Sequence, residues 1–287
     1  MSFHVCPRDD SCNYCRNGTS AKLKKSIQDC VDHVICICLK DRPDRLKESS
    51  IEFHRTGLCQ TVLYYRPEKP SVEEIRRVEL KLKYKFKSIG AYGCWQSHHV
   101  LAMYLRAINC NRALIIEDDI LFKSVPDFEF ISTQLKQLDL RSPTWTHFYL
   151  GHCPLWSSPC LVRGTVLVKS FLTHCYILNR DFIDRLAETP FYLLPGTGVF
   201  GTEHGIDAFF MMYGKQYALY PMIAVQSPSQ SSITPPCTVN VNIQQYIIRY
   251  VTHNFHKLYS HIETAAMVWP AVVLLLLSTV TIAVSSM

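Results

Sequence analysis

Glu117, Asp118 and Asp119 stand in a row directly after the apolar run Arg112-Ala-Leu-Ile-Ile116, and the aromatic Phe122 follows them. A short apolar run of this kind reads as a buried strand. The acids therefore fall at its carboxyl end, where ligands gather in open α/β sheets. Glu117 and Asp119 are two positions apart, so on an extended backbone their side chains leave the same face. Two carboxylates on one face repel unless a cation lies between them. A hard divalent ion with oxygen ligands, Mg²⁺ or Mn²⁺, is the natural partner, with coordination positions left open for a diphosphate. Such an ion acts as a Lewis acid on a departing nucleotide diphosphate. The bland alternative is an acidic turn that caps the next element; the strand before the acids and the aromatic after them favour the metal.

The elements that must position these acids follow from periodicity. His33–Leu39 (HVICICL) is a continuous apolar run that reads as a buried strand, ending in the charged turn KDRPDR. Pro43 suits an early helical position, and the helix after it carries Leu46 and Phe53 until Gly57 ends it. A second strand is expected at 61–65 and a charged helix over 71–87. Another helix follows Gly93, with Trp95, Leu101, Leu105 and Ile108 as its apolar stripe. Downstream, strands are expected at 146–150, 165–168 and 172–178. A helix is expected over 181–188, a Gly-rich loop over 195–205, a helix from Ile206 and a strand ending at Gln226. Strands alternating with helices predict an α/β layered fold with a mostly parallel central sheet.

Composition bounds the rest. The chain has 287 residues, 48% of them hydrophobic, enough for one domain with a substantial core. A net charge of +6 suits a phosphate-bearing substrate or an anionic membrane surface and falls short of a nucleic-acid footprint. Thirteen cysteines, an odd number, several of them inside apolar runs, fit a reducing compartment better than a disulfide framework. Cys12 and Cys15 have zinc-ligand spacing, but no second pair of that spacing answers them, so residues 1–30 read as a polar, Cys-containing N-terminal extension. From Thr264 onward no residue is charged, and about twenty apolar positions in 264–284 match a helix crossing roughly 30 Å of hydrocarbon. Arg249 and Lys257 precede this span and only Ser285, Ser286 and Met287 follow it. The positive-inside tendency then places the domain at 31–260 on the cytosolic side of a single-pass C-terminal anchor.

The stretch GAYGCWQSHHVLAMYLRAINCNRALIIEDDILF (90–122) resembles the signature of glycosyltransferase family 25, the lipooligosaccharide and collagen galactosyltransferase group. VICICLKDRPDRL looks like that family's first strand and turn, with Cys38 where Asn is usual. HFYLGH, THCYILNRDFIDRL, the acid in HGIDAFF and YPMIAVQSPSQSSI match its later blocks in order, so the likeness spans about 33–233. The resemblance implies a GT-A-like nucleotide-sugar fold and a UDP-sugar donor, often UDP-galactose. It also implies inverting transfer to a hydroxyl of a glycan, lipid-linked or protein acceptor. On that reading Asp119 is the principal metal ligand, assisted by Glu117 or Asp118; Arg42 and Arg45 face the nucleotide; and Ser97 and His98 are the family's Ser-His pair. Inversion needs a base for the acceptor hydroxyl, for which Asp207 is the first candidate and Glu203 the second. The plain alternatives are surface roles for the arginines, a satisfied core imidazole for His98 and a helix cap for Asp207.

Two rivals stay open at this point. A metal-dependent phosphoryl transferase should show a Gly-rich phosphate loop with a Lys, which the turn after the first strand lacks. A transferase-like membrane scaffold or adhesion protein without activity would have no need of three clustered acids.

Overall fold

The computed structural model describes residues 3–18, 21–83, 86, 89–160, 162, 164–189 and 205–227. The Gly-rich loop, with Glu203, lies outside them except for Gly205. Residues 228–260 of the expected domain and the apolar span 264–284 also lie outside the described residues. Among the described residues no helix is long and apolar enough to cross a membrane.

The sheet is built around the two apolar runs. β2 (His33–Ile37) pairs in parallel with β4 (Arg112–Glu117) on one side and with β3 (Val62–Tyr65) on the other. Side chains alternate across this sheet. Ile35, Ile37, Ala113 and Ile115 enter one core, while Val34, Cys36, Leu114 and Ile116 enter the other. Both faces are covered, which is why these strands read as unbroken apolar runs. The first core lies beneath α4 (Val72–Leu82), α5 (Ile89–Ala107), α7 (Arg180–Glu188) and α8 (Ile206–Tyr213). The second lies beneath α2 (Ala21–Cys30), α3 (Pro43–Thr56) and α6 (Phe128–Arg141).

The expected mostly parallel sheet is corrected beyond β4. β6 (His147–Pro159) and β7 (Thr165–Asn179) form a long antiparallel hairpin, and β7 runs antiparallel to β4. With β1 (Phe3–Val5) antiparallel on β3, and β8 (Gln216–Leu219) parallel to β6, the order β1-β3-β2-β4-β7-β6-β8 is a mixed sheet. The reason is local: the connection from β6 to β7 is a hairpin turn, too short for the helical crossover that a parallel pair requires.

Residues 3–30, read above as an extension, are built into the domain through β1, the short α1 (Asn13–Asn17) and α2. α3 ends as expected, with Gly57 at φ 79 in the left-handed region. A separate ribbon pairs β5 (Ile120–Phe122) with β9 (Ala224–Gln226), antiparallel, Ile120 opposite Gln226. Side chains of α3 cover its exposed edge. Glu52 accepts from the Phe122 amide at 2.5 Å and Arg55 donates to the Phe122 carbonyl at 2.6 Å. Those groups would otherwise form an unpaired sheet edge.

Candidate functional site

β4 ends at Glu117, and the chain turns through Asp118 and Asp119 into β5. Period-two alternation therefore holds to Glu117 and no further. Glu117 keeps the parity of Ala113 and Ile115 and faces the α5 side. Asp119 is set by the turn, and its carbonyl accepts from the Ser227 amide at 2.6 Å, just past β9. Both still open on one cleft of about 150 Å³, whose walls include Arg45, Lys69, Gly90, Cys94, His98 and Asp118. Ser97 and Gln226 complete its polar lining.

The wall opposite the acids is the start of α5. Its first turns bring Gly90, Gly93, Cys94, Ser97 and His98 to the cleft, so the positive end of a 19-residue helix faces it. Gly93 allows the close approach of Pro70, whose Cδ a Cβ at that position would meet at 3.1 Å. Ser97 Oγ donates to the Gly93 carbonyl at 2.8 Å, within the cleft wall. His98 is buried, with Nδ1 2.6 Å from the Tyr176 hydroxyl and Nε2 3.4 Å from Glu117 Oε1. Burial holds its pKa down at about 4, so the ring is neutral. An ionised Glu117 accepts only, which places the ring proton on Nε2 and leaves Nδ1 to accept from Tyr176. His98 is thus a satisfied core histidine and a cleft wall at once.

The acids outnumber the cations beside them. Arg45 is buried, with Nη1 4.0 Å from Asp119 Oδ2, 4.0 Å from Glu48 Oε2 and 3.4 Å from Ser227 Oγ. Burial and the neighbouring Glu117 and Asp118 push the Asp119 carboxyl up to about 8, against the pull of Arg45. Asp118 is also raised by burial, and its carboxyl meets the Cys38 thiol. Arg42 does not line the cleft. Its guanidinium grips Asp44 with Nη2–Oδ2 at 2.7 Å, and its charge is felt at Asp118.

A divalent cation fits this donor set. Asp119 Oδ1 is buried with no hydrogen-bond partner among the described residues, a costly arrangement unless something positive meets it. Cys94, His98 and Glu117 also bring one ligand atom each within 4.8 Å of one another, with Asp119 outside that group. Burial and the charges of Glu117 and Asp207 hold the Cys94 thiol well above its ordinary value, so it is a poorer ligand than the carboxylates.

Asp207 lies in the first turn of α8, where Gly205 and not Asp207 is the N-cap. Its charge is felt at His98, Cys94, Tyr149 and Tyr176. Phe209 and Phe210 anchor it there, edge-on to Trp95 at 5.3 Å and to Tyr176 at 5.1 Å. Burying each ring contributes roughly 1.5–3 kcal/mol to holding that turn in place. Sequence reasoning passed over Cys94, Lys69 and Tyr176. Cys94 and His98 are four apart on one helix face, a signal that was available; Lys69 in a loop and Tyr176 in a core strand carried none.

No family model matches the chain, and no curated protein matches it. The likeness to family 25 therefore rests on the residues quoted above. Among solved structures, A197 from STIV aligns at 9% identity over 71% of this chain and 100% of its own, with a TM-score of 0.38. A glycosyltransferase involved in the glycosylation of the major capsid of PBCV-1 aligns at 11% over 69% and 94%, TM-score 0.35. UDP-glucose pyrophosphorylase complexed with UDP-glucose aligns at 13% over 68% and 75%, TM-score 0.34. Likenesses this distant decide nothing about the cleft, whose reading stands on its own geometry.

Proposed function

We propose that this chain is a metal-assisted glycosyltransferase that moves a hexose, galactose first among the candidates, from a UDP-sugar to an acceptor hydroxyl with inversion. One observation carries the reading. A single cleft at the carboxyl ends of parallel strands holds three acids on one wall, and on the others a buried arginine, Lys69 and a helix N-terminus. Acids alone would suit a cation and the basic groups alone an anion; together they suit a diphosphate bound through a divalent ion. Mn²⁺ or Mg²⁺, when bound, supplies Lewis-acid neutralisation of the leaving diphosphate.

Asp119 is the principal oxygen ligand in this reading, with Glu117 assisting and oriented by His98. Asp118 stays turned toward Cys38 and holds the positive charges of Arg42 and Arg45 at the donor side. Arg45 and the first amides of α5 orient the phosphates, and Ser97 lies within the same wall. Asp207 accepts the proton of the acceptor hydroxyl as the new bond to the anomeric carbon forms and the bond to the diphosphate breaks. Glu203 stands second for that role. The enclosed space of about 150 Å³ is smaller than the roughly 300–1,000 Å³ of a small-molecule site, so part of a nucleotide sugar projects beyond it. We assign the segment 264–284 to membrane anchoring, with the domain on the cytosolic face; protease added to that face of intact membranes should digest the domain.

The test is a melting-temperature shift of the full chain with UDP, with and without Mn²⁺. Saturating ligand stabilises by about 2.7 kcal/mol at a hundred times Kd. A rise that needs both components is expected, and UDP binding without any ion dependence overturns the metal-assisted reading. A panel of radiolabelled UDP-sugars scored for hydrolysis then names the sugar.

A further inference from the structure

The N-terminal segment carries a second cluster of donors, remote from the chemistry of the cleft. Cys12 is the N-cap of α1 and Cys15 lies within that helix. His54 is in the last turn of α3, and Cys59 lies in the short 3-10 turn Leu58–Gln60. One ligand atom from each of the four lies within 4.8 Å of the others. Cys15 Sγ is 3.4 Å from His54 Nδ1 and 3.9 Å from Cys59 Sγ. A tetrahedral zinc with bonds of about 2.3 Å to sulfur and 2.0–2.1 Å to nitrogen spaces two sulfurs about 3.8 Å apart, and a sulfur and a nitrogen about 3.6 Å. Both observed separations agree with that tetrahedron, and 3.9 Å is nearly twice a sulfur–sulfur bond of about 2.04 Å.

We propose that Cys12, Cys15, His54 and Cys59 bind one zinc ion in a Cys₃His site that fastens the N-terminal segment to the end of α3.

The surroundings are those that such ligands require. His54 Nε2 donates to the Pro7 carbonyl at 2.9 Å, which fixes the tautomer and leaves the Nδ1 lone pair facing Cys15. The backbone is shaped to gather the four. Gly57 turns in the left-handed region between His54 and Cys59. The Tyr14 ring lies against it, where an added Cβ would stand 2.8 Å from Cζ. Gln60 Nε2 donates to the Tyr14 carbonyl, tying α1 to the same turn. Thiolate and imidazole suit zinc and exclude Mg²⁺ and Ca²⁺, which take oxygen. A lone Cys-x-x-Cys did not announce the site, because its partners, His54 and Cys59, are more than thirty residues away with a helical turn and a glycine between them. An ion that joins Cys15 to Cys59, 44 positions apart, removes more chain entropy from the unfolded state than a local clip would.

The test is elemental analysis of the purified full-length chain, followed by Co²⁺ replacement. One zinc per chain lost on Cys59→Ser is expected, and Cys110→Ser, a buried thiol elsewhere, should keep it. His54→Cys should also keep it, since four thiolates hold zinc equally well. If Cys59→Ser does not fold, the wild type decides: after chelation, Co²⁺ should give the intense visible bands and sulfur charge transfer of a tetrahedral thiolate site. Zinc retained in full by a folded Cys59→Ser overturns the proposal. So does a wild type with no zinc, no such Co²⁺ spectrum and thiol reactivity that a chelator leaves unchanged.

Discussion

Arg45 Nη1 stands 4.0 Å from Asp119 Oδ2, inside ion-pair range yet beyond hydrogen-bond length, and the arginine is 2% exposed. One buried guanidinium thus faces a trio of acids, and the deficit of positive charge falls on Asp119, whose carboxyl burial and its acidic neighbours push up to about 8. Asp119→Asn removes one of the repelling charges. At pH 9 without metal, this variant should melt about 2–5 °C higher than the wild type, given 2–4 °C per kcal/mol for a domain of this size. It should also lose the Mn²⁺-dependent response to UDP and at least about a hundredfold in turnover, since a metal-held charge in the transition state is worth several kcal/mol. Calorimetry with and without Mn²⁺ checks both halves, and retained turnover removes Asp119 from the ligand set.

Asp207 is not the N-cap residue of α8 and does not line the cleft, but its charge reaches His98 and Cys94 in the cleft wall. Asp207→Asn should lower kcat by about 10²–10⁴, the usual contribution of a positioned general base, and leave UDP affinity within about twofold. Isothermal titration beside steady-state rates makes the distinction. A collapse of UDP affinity would reassign Asp207 to donor binding.

Three histidines of the β6–β7 hairpin, like His98, are buried and should weaken the fold in acid. Burial lowers His147 well below its ordinary value, His152 to about 3 and His174 to about 4. Each folded pKa lies below the unfolded value near 6.5, so between the two the unfolded chain binds more protons. Their contribution is complete above pH 6.5 and declines as pH falls toward 4, by about 1.4 kcal/mol per pH unit for each histidine that titrates. Urea midpoints should fall steeply between pH 6.5 and 4, and His174→Gln should flatten the slope. A flat profile over that window excludes buried neutral histidines.

Gly151 sits where β6 passes under β9. A Cβ there would stand 2.5 Å from the Ala224 carbonyl oxygen and 2.6 Å from His174 Nε2, and the first of these is backbone that must move. Gly151→Ala should therefore destabilise by about 1–3 kcal/mol, the cost of overpacking a filled core. Unfolding curves will show it as a lower midpoint. Because β9 carries Gln226 into the cleft, UDP affinity should weaken in the same variant, whereas an unperturbed midpoint would deny the close approach.

The strands at 33–37 and 62–65 and the one that ends in Glu117 were legible, because burial on both faces leaves unbroken apolar runs. α3 was bounded by Pro43 and Gly57, two residues whose backbone preferences are local. Strand direction was not legible: apolar periodicity is the same whether β7 runs with β4 or against it. β1 has three residues of no distinctive pattern and is held by its ladder to β3 and by the Phe3 ring, 4.6 Å from that of Tyr104 on α5. α6 has an apolar stripe at Phe128, Ile131, Leu135 and Leu138 with Asp127 as its cap, a readable signal that a strand-centred reading passes over. At the cleft, the acids and His98 could be found from order along the chain. Tyr176 at His98 and Arg45 at Asp119 meet only through the fold, since they are 78 and 74 positions apart.

The β5–β9 ribbon also bears on timing during synthesis. Asp119 leaves the ribosome 108 residues before Ser227, whose amide clamps its carbonyl. At roughly 5–20 residues per second, that interval is about 5–20 s. For that long the nascent chain displays its acid trio without the strand that closes over it, so a chaperone or cation that meets the chain early finds an open turn rather than a finished cleft.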